Sequence, residues 1–181
     1  PFYSWMRGKD LGVTTWPADT WQHGAGAPWG WISYDPDLNL IYYGTSNTGP
    51  WNAVQREGLN LWTSGVFARN PDNGMAVWAF VFTPHNQWDY DGVNENILVD
   101  LPINGVSRKV MVQFNRNGFA YTIDRATGEV LVAKRFGFEN WASGIDSPTQ
   151  MQNVVPAKQP PPGHGTTDTR PHRRRRQAPE P

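Results

Sequence analysis

There is no cysteine in this chain of 181 residues. Within it, neither a disulfide framework nor a thiolate metal site can form. No apolar run approaches the length that a membrane span requires, and no stretch shows a sustained helical period. Net charge is also lacking, but unevenly. Residues 1–150 hold 10 Lys+Arg against 14 Asp+Glu, a net of −4, and residues 151–181 hold 6 against 2, a net of +4. The chain begins at Pro1 with no signal-peptide pattern, which for an excerpt of a longer protein says nothing about its destination. What it has in abundance is tryptophan, glycine and proline, with 10, 18 and 16 residues. That composition suits one β-rich domain, or one and a fraction, with many tight turns.

Short β-prone runs alternate with turn chemistry. Trp31 to Tyr34, Leu38 to Tyr43, Thr63 to Arg69, Met75 to Phe82, Ile97 to Val99, Val110 to Phe114, Phe119 to Asp124 and Glu129 to Ala133 are apolar, aromatic or β-branched enough for strands. Between them lie Asp35-Pro36-Asp37, Pro71-Asp72-Asn73-Gly74, Asn115-Arg116-Asn117-Gly118 and Ala126-Thr127-Gly128. This punctuation predicts hairpins in an all-β fold. The chain also repeats itself. Val66 to Asn70, Asn73-Gly74 and Trp78 match Ala120 to Asp124, Thr127-Gly128 and Val132, 54 residues further on. Four-stranded blades arranged radially have such a period, so the pattern predicts part of a β-propeller, with a two-sheet sandwich as the alternative. A chain of this length holds two to three blades, too few to close a ring.

The C-terminal end differs in kind, and we draw a boundary between a partial propeller over 1–152 and a tail over 153–181. The tail contains Pro160-Pro161-Pro162-Gly163 and Arg173 to Arg176 with almost no large apolar residue, so it cannot bury enough surface to offset chain entropy. A nucleic-acid patch, a disordered tail without a partner, and an out-of-frame translation of GC-rich coding sequence all fit. The abrupt change favours the last, and we draw no nucleic-acid function from the arginines.

The most informative motif is Trp88-Asp89-Tyr90-Asp91, just after Thr83-Pro84-His85. Carboxylates at i and i+2 point the same way if the segment is extended. Held close among apolar neighbours they repel, and one takes up a proton unless a cation neutralises them. Such a pair predicts a hard metal bound through oxygen or a general base. A solvated Asp-rich turn entering Gly92 is the bland alternative.

Trp29-Gly30-Trp31 with Tyr34-Asp35-Pro36, then Leu38 to Gly44, Asn47 and Pro50-Trp51-Asn52, together resemble the quinoprotein alcohol dehydrogenases. Within that family the match is to the large subunit of the methanol dehydrogenases that use pyrroloquinoline quinone (PQQ). The Thr83 to Asp91 stretch and Asn115 to Gly118 fall at the family's spacing, and the resemblance runs over roughly residues 10–150. It implies an eight-bladed propeller with PQQ on its axis and a metal ion against the quinone. The family's glutamate metal ligand and adjacent cysteine pair lie upstream, so the chain reads as an internal stretch that is inactive alone.

The resemblance assigns roles residue by residue. Trp29 matches the tryptophan beneath the PQQ ring, where a flat conjugated ring system needs a flat aromatic face; by itself a Trp in so aromatic a chain reads as core packing. Asn47 matches an amide metal ligand, though alone it reads as a turn residue. Asp89 matches the catalytic aspartate, base toward the alcohol hydroxyl and metal neighbour. Asp91 resembles the extra aspartate of the lanthanide-dependent branch; the calcium branch has a small uncharged residue there. A trivalent ion attracts more anionic charge and more oxygen ligands, and a second carboxylate supplies both. Arg116 matches the arginine at the quinone oxygens, where it would stabilise negative charge on the reduced cofactor; alone it reads as a solvated turn residue. Asn86 and Gln87 depart from the family, which usually has an acidic residue after Thr-Pro-His.

The resemblance thus implies oxidation of a primary alcohol, methanol, to the aldehyde, with a lanthanide(III) ion or alternatively calcium. It also implies a c-type cytochrome acceptor, a periplasmic location and a homodimer for the full-length form. Two other readings stand beside it. One is a related quinoprotein acting on ethanol or another alcohol with calcium. The other is a non-catalytic propeller scaffold, which needs neither Asn47 nor the acidic pair.

Overall fold

The computed structural model describes residues 12–18, 20–146 and 151–154. The first sheet is a meander of four antiparallel strands, β1 (Pro28–Asp35), β2 (Leu40–Thr45), β3 (Gly65–Arg69) and β4 (Ala76–Val81), in sequential order. The second repeats the pattern with β5 (Ile97–Ile103), β6 (Val106–Phe114), β7 (Phe119–Asp124) and β8 (Val130–Arg135). These are two complete blades. A further antiparallel pair, β9 (Ala142–Asp146) and β10 (Met151–Val154), follows. The sequence showed no signal for this pair, and β10 runs past the boundary drawn at residue 152. From residue 155 on, the proline- and arginine-rich tail lies outside the described residues. Helical structure among the described residues is limited to short 3₁₀ turns, such as Ala53–Arg56.

The repeat is reproduced at the level of single hydrogen bonds. In both blades the pairing of the third strand with the fourth shifts at the same place, after Ala68 and after Thr122, where Val77 and Leu131 are the extra residues of a bulge on the fourth strand. The loops then close alike. Asn70 N–H donates to Met75 O (3.0 Å) and Gly74 N–H to Asn70 O (2.9 Å); Asp124 N–H donates to Glu129 O (2.8 Å) and Gly128 N–H to Asp124 O (2.8 Å). The glycine closes the turn with φ of 71° in one copy and 82° in the other, a region that only glycine enters without strain. One hairpin exceeds its sequence reading. β5 and β6 extend to a two-residue turn, Asn104-Gly105, with φ of 52° and 80°, as a type I′ turn requires.

The sheets stack face to face. From the first sheet, Leu40, Tyr42, Val66, Ala68, Trp78 and Phe80 alternate inward with the period of two that a strand dictates. They meet Met111, Phe119, Tyr121 and Ile123 of the second, with Trp88 and Trp141 closing the core. At one end of the sheets a buried ion pair joins the blades: Arg125 Nε lies 2.6 Å from Asp35 Oδ2, and Arg125 Nη1 lies 3.1 Å from Asp100 Oδ1. At the opposite end β2, β4 and β6 finish and β1, β3, β5 and β7 begin. The residues singled out above gather there.

Candidate active site

The acidic pair lies on an irregular crossing between β4 and β5. The extended geometry expected of its i, i+2 spacing is absent, and Asp89 is left-handed at φ 62°. A single buried carboxamide shapes the crossing. Asn86 Oδ1 accepts from the N–H groups of Trp88 (2.9 Å) and Tyr90 (3.4 Å), while its Nδ2 donates to Tyr90 O (2.9 Å) and Ser64 Oγ (2.7 Å). This is an Asx turn lengthened by two residues, a geometry that asparagine favours because its side chain mimics the backbone. Trp88 anchors the crossing in the core, its ring centroid 5.2 Å from that of Trp141. Asn86 is therefore the hub of this loop.

Past Asp91 the chain lies directly on β2. A Cβ on Gly44 would stand 2.1 Å from the Gly92 carbonyl oxygen, so only glycine permits this crossing. Gly92 N–H donates to Thr45 O (2.9 Å). That contact sets Asp91 beside the chain leaving β2, where the Asn47 N–H donates to Asp91 Oδ1 at 2.6 Å.

Arg116 reaches the pair from the second blade, on the Asn115–Gly118 turn. Asn115 Oδ1 accepts from Asn117 N–H (3.0 Å), Asn117 Oδ1 accepts from Phe119 N–H (3.1 Å), and the Trp141 indole donates to Asn117 O (2.7 Å). So braced, Arg116 places Nη1 2.7 Å from Asp91 Oδ2 and Nη2 3.8 Å from Asp89 Oδ2. The Asp91 carboxylate is 6% exposed; Asp89 and Arg116 are about half exposed. Burial holds the Asp89 carboxyl above its ordinary value, the Asp91 charge adds to this, and Arg116 opposes it.

Asn47, Asp89, Asp91 and Arg116 are thus brought together, Asn47 through its backbone. Its half-buried carboxamide makes no hydrogen bond among the described residues. Trp29 stands at the start of β1, at the same end of the sheet, and is 54% exposed. The Ser46 N–H to Ala27 O bond (2.9 Å) ties the approach to β1 to the Asn47 segment. Sequence reasoning missed the supports Asn86, Asn115 and Asn117. Asn86 carries an Asx-turn signal before an aromatic run, and Asn115-x-Asn117-Gly118 a turn signal, but neither says what the turn holds.

No group of three or more His, Cys, Asp or Glu side chains that could hold a metal occurs among the described residues. The donors present are two carboxylates and one amide, all hard oxygen ligands. One guanidinium for two carboxylates leaves the cluster net negative. This donor set fits a cation of high charge whose remaining ligands come from elsewhere.

Two stacked four-stranded blades with an acidic site at one end make up part of a β-propeller. The family described as the glucose/ethanol/alcohol dehydrogenase β-propeller domain of the PQQ type matches residues 3–169, and the chain belongs to it. The chain is 53% identical over 140 residues to the lanthanide-dependent methanol dehydrogenase of Methylorubrum extorquens, covering 77% of this chain and 23% of that one. It is 38% identical over 154 residues to methanol dehydrogenase (cytochrome c) subunit 1 of Paracoccus denitrificans, covering 84% of this chain and 24% of that one. A solved europium-containing methanol dehydrogenase superposes with a TM-score of 0.78 at 50% identity, over 80% of this chain and 25% of that one. The chain spans about a quarter of the length of the relatives it matches.

Proposed function

We propose that the intact protein oxidises a primary alcohol, methanol, to the aldehyde with PQQ and a lanthanide(III) ion. The observation that carries this reading is Arg116 set between Asp89 and the buried Asp91, because a scaffold propeller has no use for an acidic pair held at a sheet end. The similarity to a lanthanide-dependent methanol dehydrogenase supports it. Asn47, Asp89 and Asp91 would hold the metal, and the exposed face of Trp29 would support the quinone. When bound, the quinone with its metal supplies the two-electron acceptor.

The chain's own residues do the rest. Asp89 is half exposed and burial holds its carboxyl above its ordinary value, which suits a base that accepts the alcohol hydroxyl proton. Asp91 adds the second negative charge that favours a trivalent over a divalent ion, and its burial keeps it in place. Arg116 orients both carboxylates and offers a fixed positive charge where negative charge develops. Electrons leave to a c-type cytochrome, the acceptor in the name of the Paracoccus denitrificans relative. The intact form works in the periplasm as a homodimer. The test is alcohol-dependent dye reduction by the intact protein loaded with PQQ, with lanthanum or calcium. We expect lanthanum to support the higher rate on methanol; preference for calcium, or for a longer alcohol, would select the related quinoprotein reading instead.

A further inference from the structure

Arg56 is the most deeply buried arginine among the described residues, at 1% exposure. Arg125, the other buried one, sits against Asp35 and Asp100, but no carboxylate lies within ion-pair distance of Arg56 among the described residues. Burial pushes its guanidinium down to about 10, so it is still charged at neutral pH. Its donors go to the chain. Nε donates to Pro50 O (2.7 Å), Nη1 to Asn60 Oδ1 (2.8 Å) and Nη2 to Asn86 O (2.6 Å). The buried Asn60 returns two bonds, from Nδ2 to Arg56 O (2.8 Å) and Glu57 O (3.2 Å), which fixes the arginine's own turn.

Two of these acceptors bear on the acidic site. Pro50 follows Asn47 by three residues. Asn86 precedes Asp89 by three and is the carboxamide around which the Asp89–Asp91 crossing is wound. One planar fork therefore ties the segment carrying Asn47 to the segment carrying both aspartates. Such a tie needs a rigid, multiply donating group, which guanidinium is and ammonium is not. Arg56 is not among the charges that displace Asp89, so its influence there is geometric.

We infer that Arg56 is a positioning residue for the metal site, locking segments 47–50 and 86–91 in one relative geometry. The metal part of this inference rests on the function proposed above; the locking part does not. Groups that orient metal ligands from behind typically alter metal affinity by about 10–100-fold when removed.

The experiment compares the full-length protein with its Arg56→Met and Arg56→Lys variants. Amide hydrogen exchange, followed by mass spectrometry without metal, reads the lock directly. Lanthanum titration in the presence of PQQ, followed by absorbance, reads the site. In Arg56→Met, segments 46–52 and 85–91 should exchange faster while β3 and β7 do not, and lanthanum should bind about 10–100-fold more weakly. Arg56→Lys should fall between, since it keeps the charge and loses the fork; it also serves as the decisive variant if Arg56→Met does not fold. Wild-type protection of both segments in a folded variant overturns the inference, as does an unchanged lanthanum affinity. Full recovery in Arg56→Lys would assign the effect to charge and overturn it too. Should wild-type protein take up no lanthanum, the proposed function fails, and the exchange measurement alone decides the locking role.

Discussion

A Cβ added to Gly128 would stand 2.9 Å from the indole of Trp78, so the tryptophan of one blade occupies the space that only a glycine of the next leaves open. The Trp78 indole N–H also donates to Arg125 O (3.0 Å), and the Tyr42 hydroxyl donates to the same carbonyl (2.8 Å). The first blade is thus docked on the second through the repeat's own turn. Removing the indole loses a large buried contact and leaves a cavity, a cost of about 3–5 kcal/mol. Trp78→Ala in the intact protein should lower the denaturation midpoint markedly, as followed by circular dichroism. An unchanged midpoint would show that the blades are held by other contacts.

Asp91 should decide the metal. Asp91→Ala removes the buried carboxylate that pairs with Arg116 and accepts the Asn47 N–H. Turnover of the intact, PQQ-loaded protein with lanthanum should fall by orders of magnitude while the far-ultraviolet spectrum is kept. Full lanthanum-supported activity in this variant sinks the lanthanide assignment.

Asp89 should carry the proton. Asp89→Asn keeps the shape and removes the acceptor, a loss of about 10²–10⁴-fold in turnover for a general base. The loss should be larger if metal uptake also weakens, which a lanthanum titration separates. Near-normal turnover would rule out the proposed role.

Asp124 gives the stability of the fold a pH dependence. Burial raises its carboxyl, but the Arg108 side chain and the N–H groups of Ala126 and Thr127 together outweigh this and hold it below its ordinary value of 3.8. The unfolded chain therefore binds this proton more readily than the folded one. The stabilisation is present above the ordinary value and is lost as pH falls through the depressed one. Asp124→Asn should flatten the fall in stability below about pH 4, measured by denaturant midpoints of the intact protein across pH. An acid limb of unaltered slope would contradict this.

Residues 1–181 alone should be poorly soluble and should not hold PQQ. Ile32, Tyr34 and Val77 on the first blade are each more than half exposed, as are Phe114, Phe136 and Phe138 on and after the second. Neighbouring blades would cover such flanks. Asn47, Asp89, Asp91, Arg116 and Trp29 supply one sector of a site that has to surround its ligand. A cooperative thermal transition together with stoichiometric PQQ uptake in the presence of lanthanum would show that this stretch holds more of the site than we infer.

The strands, their turns and the 54-residue repeat were legible because they rest on short-range chemistry. Period-two patterning and Gly, Asn and Asp at turns act within a few residues of themselves. Even the Asn104-Gly105 hairpin was there to be read. The acidic pair itself was legible too. What the sequence could not set was how these residues meet. The aspartates share Arg116 through a turn wound on Asn86, not through an extended strand. Arg116 comes from the other blade, and Arg56 ties segments that local patterning leaves unrelated. Those relations depend on the stacking of two sheets and on Gly92 lying against Gly44. Such contacts are decided by the packing of distant segments, which no local periodicity encodes.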